Sequence, residues 1–403
     1  MTEQISSDFL REIPKTDLHV HLDGSLRIPT LIELAKEAGV ELPSYEEQGL
    51  KDMVFKDSYA DLPEYLQGFA YTVAVMQTSE NIERIAYELV LDNLEEGVRY
   101  LEVRFAPQLH LRDDFPILDV LEAVSKGMDR AKKEHNRTAA VLNGEDICFE
   151  YGIIVCALRS FHADMSVYYA NLFKALPTSP KKNVFATASL ELIRAAWKLI
   201  REHELPIVGF DLAGEEAGYP AGDHKEAFGF AQSHFIRKTV HAGEAYGPES
   251  IFHAITECQA NRIGHGTFLF AADRVLDPEI EDKAGYTEGL AQYVASQRIT
   301  VEVCLTSNLQ TTPSIACVSD HPVRKMIDRN LSVSICTDNR LVSNTSVTRE
   351  LQLVVDETGI NRHQLRNLVI AGFKGSFFPH RYSEKRAYVR QVINRYEQLE
   401  AAL

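Results

Sequence analysis

The chain has 403 residues, 45% apolar and 25% charged, with 42 Lys and Arg against 58 Asp and Glu for a formal net charge of −16. This composition is that of a folded protein with a sizeable core and excludes a disordered or fibrous chain. The negative charge disfavours a nucleic-acid or anionic-membrane footprint and fits a small neutral or cationic ligand better.

The opening "MTEQISSDFLREIPK" contains acids and no apolar h-region, and no run approaches the ~20 apolar residues that cross a bilayer, so a cytoplasmic location is expected. Six cysteines, Cys148, Cys156, Cys258, Cys304, Cys317 and Cys336, lack CxxC spacing and lie partly in apolar runs, which predicts reduced, buried core thiols.

The first predicted strand, 16–20, leads into "TDLHVHLDGS", where His19 and His21 alternate with Leu18, Val20 and Leu22. Alternation puts both imidazoles on one face, aimed at a common object. A shared metal ion and a pair of hydrogen-bonded interior histidines are both compatible with that spacing. Residues 26–80 form an insertion in which 62–76 reads as a helix presenting Tyr65, Leu66 and Phe69 on one side, as core or as a pocket wall.

A helix over 80–97 ends at Gly97 and is followed by strands at 99–107 and 151–160, a loop at 174–183 and a helix running into Pro206. Further strands are expected at 206–214, 237–244, 262–266, 300–308 and 331–339, with "HPVRKMIDRN" helical before the last and an amphipathic helix at the end. Eight near-continuously apolar strands alternating with helices predict an α/β fold, a (β/α)8 TIM barrel with a helical insertion after the first strand and extra C-terminal helices. No linker or repeat divides the chain, so residues 1–403 are expected to form one domain.

A doubly wound open sheet is the rival. The first strand lacks a GxGxxG turn, and His19, Glu102, Asp211, His241, His265 and Asp338 fall within or at the C-terminal ends of different strands. A barrel gathers such ends on one face.

His241 in "TVHAGE" and Asp338 in "SICTDN" would complete a three-nitrogen, one-oxygen set suited to zinc, which makes water a nucleophile near neutral pH. Glu244, three residues after His241, reads either as a proton shuttle beside such a site or as an acid at a helix start. His265, between two glycines, reads as a second acid/base group or as a satisfied core histidine.

The ordered set "PKTDLHVHLDGS", "FDLAGEE", "VHAGE", "IGHGT", "CLTSN" with "HP" downstream, and "CTDN" resembles the adenosine deaminases of the zinc-dependent amidohydrolase superfamily, over nearly the whole chain. The resemblance implies a (β/α)8 barrel with one zinc per subunit, held at its mouth by His19, His21, His241 and Asp338. It implies that Glu244 protonates N1 of the purine while His265 orients and helps deprotonate the attacking water.

By the same resemblance the Gly214 backbone meets N3, Asp23 binds ribose hydroxyls, His21 counts among the substrate contacts, and Tyr65, Leu66 and Phe69 form an apolar lid. Many relatives carry a second Asp after the metal-binding one. Here it is Asn339, whose amide can still donate to N7.

The expected activity is hydrolysis of a cyclic amidine C–N bond, converting adenosine and 2′-deoxyadenosine to inosine and 2′-deoxyinosine with release of ammonia. A modified adenosine such as aminodeoxyfutalosine, whose 5′ side is larger, is the nearest alternative substrate. Adenine is another, although Asp23 stands where adenine deaminases usually carry Glu. A silent nucleoside-binding barrel would be expected to have lost a ligand or the Glu. The expected partner is a small purine nucleoside, with no nucleic acid and no membrane.

Overall fold

Eight parallel strands follow one another around the sheet in chain order: β1 (Lys15–His21), β2 (Val98–Phe105), β3 (Glu150–Leu158), β4 (Ile207–Ala213), β5 (Arg237–Ala242), β6 (Arg262–His265), β7 (Thr300–Val303) and β8 (Val333–Ile335). The computed structural model describes residues 5–402. Helices cover the outside of the strands, so most strand residues are buried on both faces, and the sequence shows continuous apolar runs rather than alternation.

The ring closes between β1 and the segment after β8. Val20 bridges to Asp338, the His21 amide donates to the Asp338 carbonyl (2.7 Å), and the Asp338 amide donates to the His19 carbonyl (2.8 Å).

Helix ends follow local chemistry. Thr78 caps the helix Ser79–Glu95 by accepting from the Asn81 amide, and Ser346 caps Val347–Thr358, which stops at Gly359 in the left-handed conformation. Asn361 and Gln364 form a reciprocal capping box on Arg362–Gly375, which with Tyr382–Ala401 makes up the extra C-terminal helices.

Several boundaries differ from the sequence expectation. The helix expected over 62–76 is two short helices, Leu62–Leu66 and Phe69–Val75, because i→i+3 bonds tighten the chain through Gln67 and Gly68. The loop expected at 174–183 shrinks to 176–180, between the helices Val167–Ala175 and Lys181–His203. β7 stops at Val303, and 305–311 turns into a helix, so Ser307 and Asn308 face the barrel mouth instead of extending a strand.

All six cysteines are free, as expected, and four are buried, but Cys317 is exposed and Cys148 half-buried. Among the described residues no helix is long and apolar enough to cross a membrane.

The barrel interior carries a buried charge network. Arg104 donates to Asp211 (2.8 Å), to Glu302 (2.9 Å) and to the Leu18 carbonyl. Arg262 donates to the other Glu302 oxygen (2.6 Å) and to Glu102. Glu102, expected at the mouth, instead accepts from Tyr100 and from the Phe377 amide toward the N-terminal end of the strands. It faces away from the mouth because Arg262 and Tyr100 hold it there.

Replacing Arg262 by Met leaves Glu102 buried without a cationic partner and removes one of the two guanidiniums on Glu302. The substitution is expected to destabilise the fold by about 3–5 kcal/mol, read as a shifted urea midpoint. A loss below about 1 kcal/mol would show that the network is not structural.

Candidate metal centre and active site

The C-terminal ends of the strands floor a cavity of about 1060 Å3. His19 and His21 point the same way from β1, with ring centroids 5.5 Å apart. His241, near the end of β5, brings Nε2 to 3.1 Å from His21 Nε2. Asp338 Oδ1 stands 3.3 Å from His19 Nε2 and 3.5 Å from His21 Nε2.

Each of these four residues offers a ligand atom, and the four atoms lie within 4.8 Å of one another. Atoms sharing one first-row divalent ion through bonds of ~2.0–2.2 Å stand about 3–3.5 Å apart, so the donor set fits such an ion. His19 Nε2 is buried and makes no hydrogen bond, an orphan that a metal would satisfy.

Two carboxylates of the interior network back the imidazoles. Glu302 lies 2.8 Å from His19 Nδ1, and Asp211 lies 3.1 Å from His241 Nδ1. Each fixes the ring proton on Nδ1 and leaves the Nε2 lone pair facing the cluster. Gly264 makes room for this packing, since a Cβ there would meet the His19 ring at 3.0 Å.

Glu244 and His265 adjoin the cluster, with Glu244 Oε1 3.6 Å from His265 Nε2. Burial, reinforced by Asp338 and Glu216, pushes the Glu244 carboxyl well above its ordinary range, which favours its protonated form. Burial, partly offset by Asp338 but reinforced by the neighbouring imidazoles, takes His265 well below its ordinary range.

A hydrogen-bond chain sets the His265 tautomer. The Val323 amide donates to His321 Nδ1 (3.1 Å), which leaves the His321 proton on Nε2, facing Asn308 Oδ1 (3.2 Å). The Asn308 amide then donates to His265 Nδ1 (2.9 Å), and the neutral ring carries its proton on Nε2. Ser307 donates to Asp338 Oδ2 (2.6 Å). His265 and Asp338 both have left-handed backbones, with φ of 63° and 62°. Such strain in non-glycine residues clusters at functional sites.

The other expected site residues line the same cavity. Asp23 is buried with Oδ1 unpartnered, and burial lifts its pKa to about 7. Gly214 turns through φ 95°, a conformation that favours glycine. Asn339 donates to the Tyr65 hydroxyl (2.8 Å), which also meets Ser343 Oγ (2.8 Å). Tyr65 is therefore anchored by polar bonds and is not a purely apolar cover. Phe69 stands edge-on to His21 with ring centroids 6.4 Å apart, and Leu66 is partly buried beside it. The far wall, with Leu158, Phe161, Met165 and Phe185, comes from the excursion after β3, which the sequence reading did not assign to the site.

The adenosine deaminase family model matches residues 14–177 and 182–395. The adenosine deaminase of Mycobacterium avium is 35% identical over 396 residues, 98% of each chain. The chain belongs to the adenosine deaminase family. A probable adenosine deaminase of Dictyostelium discoideum is also 35% identical, over 93% of this chain, although the chain spans only 42% of that protein's length. An amidohydrolase from Burkhoderia ambifaria, solved with bound Zn, shares the fold with a TM-score of 0.74 at 20% identity, covering 99% of this chain and 95% of that one.

In this member of the adenosine deaminase family, the sequence reading does not single out Arg104 and Glu302 as site residues, and Glu216, Ser307, Asn308 and His321 lie within matched motifs without an assigned role. The signal available for Glu302 was an acid inside the apolar run "TVEVCL", and for Arg104 a guanidinium inside "VRF". Partners for such charges were needed somewhere in the core.

Asp211→Asn would turn an amide NH2 toward either Arg104 or His241. It is expected to weaken divalent-metal affinity about 10–100-fold, measured by chelator competition. Unchanged affinity would mean that Asp211 does not support the His241 ligand.

Proposed function

We propose that this protein is a zinc-dependent hydrolase that deaminates adenosine and 2′-deoxyadenosine, with His19, His21, His241 and Asp338 as the metal ligands. The observation that carries the reading is the convergence of the four donor atoms beside the buried carboxyl of Glu244. Three imidazole nitrogens and a carboxylate suit zinc better than the harder, oxygen-preferring divalent ions. A bound zinc supplies Lewis acidity that makes water nucleophilic near neutral pH.

The chain's own groups do the rest. Glu244 delivers its proton to purine N1, which draws electrons from C6 as water adds there. His265, with its proton held on Nε2 by the chain from His321, donates to the attacking water and orients it. The ring is thus set up to orient the water, the first of the two parts that the resemblance implied for it. As water adds, one of its protons passes to the departing amino group, which leaves as ammonia, and the other returns to the Glu244 carboxylate, so that the 6-oxopurine keeps the proton delivered to N1.

Asn339 has one amide hydrogen committed to Tyr65 and a second available for N7. The Gly214 backbone is assigned to N3. The unpartnered Asp23 oxygen suits a ribose hydroxyl. Leu66 and Phe69, with the Tyr65 ring, supply the apolar cover over the nucleoside.

A second reading, a modified adenosine enlarged at the 5′ side such as aminodeoxyfutalosine, is favoured by the cavity's size and by its extension to Phe161, Met165 and Phe185. Comparing kcat/KM across adenosine, 2′-deoxyadenosine and 5′-enlarged analogues decides between the two.

Zinc-loaded protein is expected to lower absorbance at the adenosine maximum, and the absence of any change would overturn the main reading. Glu244→Gln is expected to cut kcat by about 10²–10⁴ while keeping metal content and nucleoside binding. Full activity in that variant would remove Glu244 from its assigned role.

A further inference from the structure

Glu216 lies in the turn after β4, and the reaction above leaves it without a part. Its buried carboxylate accepts from four consecutive backbone amides, Gly243 (2.8 Å), Glu244 (3.0 Å), Ala245 (2.6 Å) and Tyr246 (2.8 Å), and from the Ser250 hydroxyl. Gly243, at φ 67°, turns the chain so that successive N–H groups converge, and a Cβ there would press on Ile251 at 2.7 Å. The result is an anion nest filled by the protein's own side chain. On its other side the same turn is held by the Gly266 amide on the Ala242 carbonyl (3.1 Å) and the Phe268 amide on the Gly243 carbonyl (3.0 Å). Glu244 sits within the gripped segment.

We infer that Glu216 is a positioning residue for Glu244, a carboxylate from the β4 turn that clamps the β5 turn and fixes where the proton-donating carboxyl points. The inference rests on the proposed reaction for the role of Glu244, while the clamp itself rests on the hydrogen bonds alone.

A carboxylate suits the nest because it only accepts, whereas an amide would turn an NH2 group toward converging N–H groups. Its charge adds to burial and to Asp338 in pushing the Glu244 carboxyl upward. Glu216 thus sets the direction of a carboxyl that its own side chain does not touch.

The test is a double-mutant cycle on the metal-loaded protein. Glu216→Gln is expected to lower kcat for adenosine about 100-fold, with KM and metal content within about threefold of the parent. In a Glu244→Gln background the same change is expected to alter the residual kcat by less than about threefold, because the two residues act as a unit. An unchanged kcat in the single variant, or independent losses that multiply in the double variant, would overturn the proposal.

Hydrogen exchange at the amides of 243–246 reads the clamp without reference to activity. Exchange at least about tenfold faster in Glu216→Gln supports it, and unchanged exchange overturns it. Should that variant fold poorly, Glu216→Asp and Ser250→Ala take its place, with expected losses of about tenfold in kcat and the same dependence on Glu244. If neither changes kcat or exchange, the clamp is rejected. Failure of the parent protein to turn over adenosine would count against the proposed reaction, and the exchange measurement would still decide the clamp.

Discussion

The charge network inside the barrel is the constraint on which the site depends. Two guanidinium groups, Arg104 and Arg262, meet three carboxylates, Glu102, Asp211 and Glu302, all removed from water. A buried charge without a partner is strongly destabilising, so these groups stand only in an arrangement where each contact is made. Asp211 and Glu302 spend their remaining acceptor capacity on His241 and His19. The interior has one anion more than it has guanidiniums, and the imidazole N–H groups of His19 and His241 face that excess. Stability at the centre of the barrel and ligand orientation at its mouth are therefore set by the same atoms.

Closure of the barrel contributes a second fixed element. The hydrogen bonds that join the end of the sheet to its beginning use the backbones of His19, His21 and Asp338. Three of the four proposed ligands are thus held relative to each other by main chain rather than by side-chain packing. The left-handed backbones of His265 and Asp338 lie at the same rim, and surrounding contacts to Asn308 and Ser307 hold them there. Such a site can meet substrate with little rearrangement of its polar groups, the condition under which fixed dipoles and charges act most strongly.

The substrate side of the cavity is built differently. Its walls are two excursions from the barrel, the short helices after β1 and the segment after β3, the latter with an apolar cluster of its own around Phe161, Tyr169 and Phe185. Tyr65 ties the first excursion to the site through Asn339 and Ser343, so Asn339 is coupled to the short helices on that side of the cavity.

The alternation of strand and helix, and with it the expectation of a barrel, is legible in the chain alone, because period and composition are local properties. The sequence also picks out His19, His21, His241, Asp338, Glu244 and His265, since unusual polar residues at strand ends stand out against apolar runs. Which buried charge pairs with which emerges only on folding. Glu102 and Asp211 look alike as acids in strands, yet one faces Arg262 and Tyr100 inside the barrel while the other orients His241. Only the fold, likewise, joined His321 to His265 through Asn308, and Glu216 to the turn carrying Glu244. Hydrogen-bond partners far apart in the chain leave no periodic trace, and their geometry exists only once the barrel has closed.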